Sequence, residues 1–253
     1  MKKILFVHGW YHSKKRFQRL CADLSQFSCK AIDLPGFGDH KFSGDLHKIE
    51  EIHIAYVKEI LEEGFDFVIS HSWGCRIVLQ ALSSSATVAI MLNPAYGDNQ
   101  QLKILKDREK VLEAIFTMSH KAPDFLTTVP IKIAALPSVN HYGQVDDIIV
   151  EDARKSDPQV SAKIVEIMCN KPFFTNKWNF PSQVHLLYSD QDRVISPSCF
   201  QDFINDLSPY THFFPQVGHT LILEVYEALR LKITNILQLY THSCIEFITW
   251  EDL

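Results

Sequence analysis

The sequence lacks the features that mark membrane-spanning, secreted or nucleic-acid-binding proteins. No apolar stretch approaches the roughly 20 residues that a membrane-spanning helix requires. The apolar run at residues 4–7 is too short for the hydrophobic segment of a signal peptide. A net charge of −5 at pH 7 provides no electrostatic footprint for nucleic acid. We therefore expect a protein that binds neither a membrane nor nucleic acid.

Cysteine is present, but not in a pattern that indicates a metal site. The six cysteines form no C-x-x-C pair and no zinc-ligand spacing. Free thiols are typical of a reducing compartment. The sequence therefore predicts a cytoplasmic protein that holds no metal, and no motif in it predicts another cofactor.

What the sequence does contain is an alternation of short apolar strands with apolar-periodic helices, within a length of 253 residues that suits one large domain. Such alternation favours a mostly parallel sheet with helices on both faces. Strands are predicted at residues 2–8, 28–33, 65–70, 86–92, 183–188 and 211–214. Helices are predicted at residues 14–27, 48–62, 73–84, 198–207 and 220–238. The one basic run, at residues 14–16, is expected to be a solvated helix face.

The alternation stops between Pro94 and Pro181. Residues 102–119 have a helical pattern and residues 121–145 are irregular with three prolines. Residues 146–169 predict two helices, broken near Asp157 and Pro158 because proline cannot continue a preceding helix. This region is therefore predicted to be an insertion between two parts of a strand–helix core.

The most informative motif is the run at residues 70–74, Ser-His-Ser-Trp-Gly, with Ser72 at its centre. An apolar strand leads into it and an apolar-periodic helix follows, so Ser72 is expected on a tight strand-to-helix turn. The pattern is close to the G-x-S-x-G nucleophile elbow. It departs from that elbow at Ser70, which stands where the first glycine is usual. The simpler interpretation of Ser72 is an ordinary helix N-cap residue.

A nucleophilic serine needs a base, and the base needs an orienting acid. Asp190 and Asp192 follow a buried strand, and His219 follows Gly218 just after a later strand. Strand ends are where active sites form in open α/β sheets. Both aspartates also suit a turn without any chemistry, and His219 is one of twelve histidines.

Taken together, these motifs resemble those of α/β-hydrolase-fold serine hydrolases. Residues 4–10 are similar to the family's first strand and His-Gly oxyanion turn, and residues 33–38 to its D-x-P-G-x-G loop. The likeness spans residues 2 to about 238, except for roughly 98–145. It implies the α/β-hydrolase fold, with a core at residues 1–97 and 179–253 and a helical cap inserted at residues 98–178.

The resemblance also implies a role for each candidate residue. Ser72 is the nucleophile, His219 the base, and Asp192 rather than Asp190 the acid, because Asp192 matches the family's G-x-x-D turn. The backbone N–H groups of Trp10 and Trp73 occupy the oxyanion positions. His8 and His71 are expected to be structural.

The expected activity is hydrolysis of a carboxylic ester or thioester, carried by a small molecule or by an acyl carrier. The short cap and the absence of the family's preceding edge hairpin are similar to esterases that cleave pimeloyl-acyl-carrier-protein methyl ester. A C–C-bond hydrolase of the same fold is the alternative enzyme, since it shares the triad and the Asp-x-Pro-Gly loop. A non-catalytic ligand-binding homologue is the alternative from another class, since Ser70 adds bulk at the elbow. The sequence does not indicate an oligomeric state.

Overall fold

The computed structural model describes residues 1–82, 87–97, 147–173 and 183–241. The strands are β1 (Lys3–Val7), β2 (Ser28–Ile32), β3 (Phe67–His71), β4 (Val88–Leu92), β5 (Val184–Ser189) and β6 (Tyr210–Phe214). The helices are α1 (Gln18–Asp23), α2 (Ile49–Leu61), α3 (Trp73–Ala81), α4 (Asp147–Lys155), α5 (Pro158–Asn170), α6 (Pro197–Leu207), α7 (Leu221–Glu224) and α8 (Tyr226–Thr241). Short 3₁₀ turns lie at Lys14–Phe17 and Leu46–Lys48.

The described strands form a six-stranded sheet in the order β2-β1-β3-β4-β5-β6, and every described pair is parallel. This confirms the predicted α/β-hydrolase fold. Because the strands are parallel, their carboxyl ends share one edge of the sheet. The loops that follow β1, β3, β4, β5 and β6 therefore converge there, and these loops carry the candidate site residues.

Side-chain alternation along the central strands supplies a core on each face of the sheet. In β1, Ile4 and Phe6 pack on one face, and Leu5 and Val7 pack on the other. Helices α1, α7 and α8 contribute their buried residues to the first cluster, and helices α2, α3, α5 and α6 to the second. The period of two along a strand is what divides the apolar residues between these layers.

Three of the helices predicted from the sequence differ in extent. The helix predicted at residues 14–27 is a 3₁₀ turn followed by α1, which ends at Asp23, and the helix predicted at 73–84 ends at Ala81. The helix predicted at 220–238 is interrupted at Val225, which separates α7 from α8. Strand positions agree with the prediction within two residues, because the apolar runs that define strands are short and sharply bounded.

The expectation that the basic run at residues 14–16 is a solvated face is wrong for Arg16. Its Nε donates to Asp152 Oδ2 at 3.0 Å, and both side chains are only 1% exposed. The pair joins the turn after β1 to α4. Burial raises the pKa of Asp152 to about 6, against the opposing effect of Arg16.

Helix α5 begins where the sequence predicts a break. The Asp157 carboxylate accepts hydrogen bonds from the N–H groups of Gln159 and Val160, at 2.9 and 3.2 Å, and Pro158 occupies the first turn. An aspartate cap followed by proline is a common start for a helix. The cap boundaries at 98 and 178, the helix predicted at 102–119, the irregular segment at 121–145 and the C-terminal residues 242–253 lie outside the described residues.

None of the helices in the described ranges is both long and apolar enough to cross a membrane.

Candidate active site

Ser72 occupies the turn between β3 and α3 in a backbone conformation that few non-glycine residues adopt. Its φ is 50° and its ψ is −117°. Such a conformation costs on the order of 1–3 kcal/mol and is typical of functional turns. The Ser72 N–H donates to the carbonyl of Leu92 at 3.0 Å, and the Ser72 carbonyl accepts from the N–H of Ala95 at 3.1 Å. The end of β4 therefore holds the strained turn in place, at the N-terminus of α3.

The neighbouring glycines permit close approach of the backbone at this turn. A Cβ on Gly74 would lie 2.4 Å from the carbonyl oxygen of His8, so any side chain there would push α3 away from β1. A Cβ on Gly9 would lie 3.0 Å from Ser72 Cβ. The turn after β1 thus passes directly beside the nucleophile elbow.

Ser72, His219 and Asp192 form one hydrogen-bonded chain. His219 Nε2 lies 2.9 Å from Ser72 Oγ, and His219 Nδ1 lies 2.7 Å from Asp192 Oδ2. An ionised carboxylate only accepts, so Nδ1 carries the proton and Nε2 is free to accept the Ser72 hydroxyl proton. All three residues are at least 96% buried. The structure thus brings together the serine, histidine and acid that the sequence singled out.

The two aspartates of the acid turn have different partners. Asp192 Oδ1 accepts hydrogen bonds from the N–H groups of Val194 and Ile195, at 2.8 and 2.7 Å, which orients Oδ2 toward His219. Asp190 instead accepts from the N–H of Gln216 at 2.8 Å and tethers the loop before His219. Asp192 is therefore the aspartate in hydrogen-bond contact with the histidine.

The two residues whose N–H groups were predicted at the oxyanion positions flank Ser72. Trp73 is the first residue of α3, where a helix leaves backbone N–H groups without intrahelical partners. Trp10 follows Gly9 in the turn beside Ser72, and its indole Nε1 donates to the carbonyl of Ser161 in α5 at 3.1 Å. A contact from α5 thus reaches Trp10, one of the two residues predicted to supply an oxyanion N–H group.

His8 and His53 link this region to the loop at residues 33–39, and each has a defined tautomer. The N–H of Leu34 donates to His8 Nε2 at 3.0 Å, so the proton of His8 lies on Nδ1, which donates to the carbonyl of Gly9 at 2.7 Å. Trp73 Nε1 donates to His53 Nδ1 at 3.1 Å, and His53 Nε2 donates to the carbonyl of Pro35 at 2.8 Å. Burial lowers the pKa of each of these histidines to about 4. Both are therefore neutral at pH 7, in agreement with a structural role for His8.

Two further residues, Asn93 and His71, contact the main-chain carbonyl of His219. Asn93 follows β4, and its Nδ2 donates to the carbonyl of His219 at 2.8 Å. His71, which was expected to be structural, donates to the same carbonyl from Nε2 at 3.1 Å. The one available signal for Asn93 was its place at the end of a buried strand, where polar residues are site candidates.

His71 also belongs to a small stack of imidazole rings. Its ring lies 5.1 Å from that of His12 and 4.8 Å from that of His219, between centroids. Burial lowers the pKa of His71 and of His12 well below the usual value, with further contributions from neighbouring positive groups. Both rings are therefore neutral at physiological pH.

Ser70, which replaces the usual glycine, has its side chain in a buried, sulfur-lined position. Its Oγ lies 3.0 Å from Met91 Sδ and 3.3 Å from Cys75 Sγ. The hydroxyl therefore points between β4 and α3, and the distance from Ser72 to His219 remains that of a hydrogen bond.

Within the described ranges, no cluster of three or more histidine, cysteine or acidic side chains has the arrangement of a metal site. Cys21, Cys29 and Cys75, which lie in this part of the chain, are free thiols.

Comparison with known proteins agrees with this architecture. The family model described as "Alpha/beta hydrolase family" matches residues 4–230. The chain therefore belongs to the alpha/beta hydrolase family. Among curated proteins, no sequence matches the chain significantly.

Solved structures of several hydrolases have the same fold. A thermophilic esterase from Thermogutta terrifontis aligns over 94% of this chain and 90% of its own, with a TM-score of 0.69 and 17% identity. The 2-hydroxy-6-oxo-6-phenylhexa-2,4-dienoate hydrolase of a Rhodococcus species aligns over 94% and 90%, with a TM-score of 0.71 and 15% identity. An epoxide hydrolase from Bacillus megaterium aligns over 94% of both chains, with a TM-score of 0.69 and 14% identity. Similarity at these identities shows a shared fold, and chemistry has to be argued from the site.

Proposed function

We propose that this chain is a serine hydrolase that cleaves a carboxylic ester or thioester through an acyl-enzyme. The observation that carries the proposal is the hydrogen-bonded chain from Asp192 through His219 to Ser72, with distances of 2.7 and 2.9 Å. It ends at a serine with positive φ at the start of a helix. A buried serine with an oriented base next to it is the arrangement that nucleophilic acyl transfer requires.

In the proposed reaction, His219 Nε2 takes the hydroxyl proton as Ser72 Oγ bonds to the substrate carbonyl carbon. The backbone N–H groups of Trp10 and Trp73 stabilise the oxyanion of the tetrahedral intermediate. The intermediate collapses, and the alcohol or thiol leaves with the proton from His219. Water, deprotonated by His219, then attacks the acyl-enzyme and releases the carboxylic acid and free Ser72.

We propose that residues 98–178 form a cap over the site and that the acyl group belongs to a small molecule or an acyl carrier. The free thiols described above are compatible with a cytoplasmic location. Neither nucleic acid nor a membrane has a part in the proposed reaction.

Covalent labelling with a fluorophosphonate probe tests the nucleophile. The wild-type protein should be labelled, and Ser72→Ala should not be. Ser70→Ala is the matched control, because Ser70 is a buried serine two residues away whose hydroxyl contacts sulfur atoms. Labelling of Ser72→Ala at the wild-type rate would show that the proposal is wrong.

A substrate panel then separates ester hydrolysis from the alternatives. p-Nitrophenyl esters of increasing acyl length, a methyl ester of a dicarboxylic acid and an acyl-carrier thioester cover the proposed classes. Turnover of a vinylogous diketone without turnover of any ester would favour the C–C-bond hydrolase. A ligand that raises the melting temperature of a protein inert toward every substrate would favour the binding homologue. The position of the Ser70 hydroxyl, away from His219, supports the catalytic alternative over the binding one.

A further inference from the structure

The main-chain carbonyl of His219 is a point where several parts of the site converge. It accepts one hydrogen bond from Asn93 Nδ2 at 2.8 Å and another from His71 Nε2 at 3.1 Å. All three residues are at least 96% buried. Two donors therefore hold the backbone of the proposed base in a region from which water is excluded.

Both donors are themselves fixed relative to Ser72. His71 is the last residue of β3 and directly precedes Ser72. Asn93 directly follows Leu92, whose carbonyl accepts the Ser72 N–H at 3.0 Å. The two side chains thus fix the position of the His219 backbone relative to Ser72.

Asn93 also contacts the chain that leads to Asp192. Its Oδ1 accepts from the N–H of Ser189 at 3.1 Å, and its Nδ2 lies 3.0 Å from Ser189 Oγ. Ser189 Oγ in turn donates to the carbonyl of Gly218 at 2.7 Å. One amide side chain therefore bridges the ends of β4 and β5 and the loop that carries His219.

We propose that Asn93 and His71 are positioning residues that hold the His219 imidazole at hydrogen-bond distance from Ser72 by anchoring its main-chain carbonyl. This inference rests on the proposed function. The imidazole already has contacts of 2.7 and 2.9 Å on its two nitrogens, so a small shift of its backbone breaks one or the other. A displacement of about 1 Å at such a site lowers the rate roughly 100-fold.

The backbone and protonation states support this role. Asn93 has a φ of 40°, which asparagine tolerates better than most residues. The His219 carbonyl can only accept, so His71 Nε2 carries a proton and donates to it. Burial lowers the pKa of His71 well below its usual value, so the ring is neutral. His71 Nδ1 is buried without a hydrogen-bond partner in the described part of the chain. Within the described residues, the only hydrogen bond of the His71 ring is therefore the one that it donates from Nε2 to the His219 carbonyl.

The test compares variants of similar shape that differ in the donor. Asn93→Asp keeps the shape and the tolerance of positive φ but removes both N–H groups. His71→Gln keeps a terminal N–H near the position of Nε2, whereas His71→Leu removes it. Ser189→Ala is a graded comparison, because it removes one hydroxyl partner of Asn93 and leaves both donors to the His219 carbonyl. Each variant is measured for fluorophosphonate labelling rate, kcat and KM on an ester, the pH profile, and melting temperature.

We expect Asn93→Asp and His71→Leu to lower the labelling rate and kcat about 10-fold to 100-fold, with KM within about twofold of wild type. His71→Gln should recover most of the loss, and Ser189→Ala should fall between wild type and Asn93→Asp. Wild-type labelling rates in both folded variants would overturn the proposal. So would a His71→Gln protein no faster than His71→Leu at equal melting temperature. If Asn93→Asp fails to fold, the two His71 variants decide.

Failure of the proposed function is recognised separately. In that case Ser72→Ala is labelled like the wild type, whatever the Asn93 and His71 variants do.

Discussion

The two sides of Ser72 are supported by different parts of the molecule. On the acid–base side, His219 is held by Asp192, Asn93 and His71, all at the carboxyl ends of core strands. On the predicted oxyanion side, the turn that contains Trp10 is bonded to an element outside those strands, since the Trp10 indole donates to the carbonyl of Ser161 in α5. One side is built by the sheet, and the other depends also on a helix of the segment between β4 and β5.

Further contacts bind α5 to the loops around the site. The N–H of Asp157 donates to the carbonyl of Gly36 at 2.7 Å, and a Cβ on Gly36 would lie 2.8 Å from the methyl groups of Val160. The start of α5 therefore contacts the loop after β2. His8 joins that loop to the turn after β1, and His53 joins it to Trp73 in α3. From this comparison we expect that a movement of α5 would affect the turn that contains Trp10 before it affects the pair of Asp192 and His219.

The largest expected effect tests the acid–base side. Asp192→Asn should lower kcat about 10⁴-fold, because the amide stabilises the wrong tautomer of His219. Asp190→Asn is the matched control and should change kcat no more than about twofold, since it touches a loop N–H and not the histidine. Steady-state kinetics on one ester measures both. A larger loss of kcat in Asp190→Asn than in Asp192→Asn would show that Asp192 is not the residue that orients His219.

An intermediate effect is expected on the oxyanion side. Trp10→Phe keeps the aromatic ring but removes the bond to Ser161, and should lower kcat about 10-fold to 100-fold with little change in KM. Trp73→Phe removes the hydrogen bond that the Trp73 indole donates to His53, which is also 3.1 Å long. The backbone N–H of Trp73 is fixed by α3, so kcat should fall less in Trp73→Phe than in Trp10→Phe. An equal loss of kcat in both variants would show that the backbone N–H in α3 and the backbone N–H in the turn after β1 depend equally on their indole contacts.

The smallest effect concerns the neutral histidines that join the loops. The folded-state pKa of His8 and of His53, about 4, is below the ordinary value of 6.5. As the pH falls below 6.5, these histidines are protonated in the unfolded chain before they are protonated in the folded protein. The free energy of unfolding therefore decreases as the pH falls from 6.5 toward 4. Each histidine contributes a slope of about 1.4 kcal/mol per pH unit in that window. The raised pKa of Asp152, about 6, acts in the opposite direction between pH 6 and 4.

Urea unfolding at several pH values between 7 and 4.5 measures this slope. His53→Gln should reduce it by about the contribution of one histidine, that is about 1.4 kcal/mol per pH unit. His47→Gln, at an exposed histidine, is the matched control. An unchanged slope in His53→Gln would mean that His53 does not remain neutral in the folded protein.

Much of the sheet, and the positions of Ser72, Asp192 and His219, could be predicted because the sequence signals for them are local. Apolar runs bounded by turn residues located the strands, and the order of Ser72, Asp192 and His219 along the chain indicated their placement at strand ends. Arg16 was misjudged because a run of basic residues says nothing about a buried acid far along the chain. Asn93 was passed over for the same reason, as its partners lie at the end of β5 and in the loop that carries His219.

The sequence by itself located each strand to within two residues, since strand positions depend on neighbours a few places away along the chain. The glycine after Ser72 also marked the strand-to-helix turn in the sequence. Close approach of α3 to the end of β1 leaves no room for a side chain at Gly74. Only the tertiary structure decided that β4 lies between β3 and β5. That placement brings Asn93 within 2.8 Å of a carbonyl 126 residues away. A hydrogen bond forms only at about 3 Å, and only the folded sheet brings such distant residues that close.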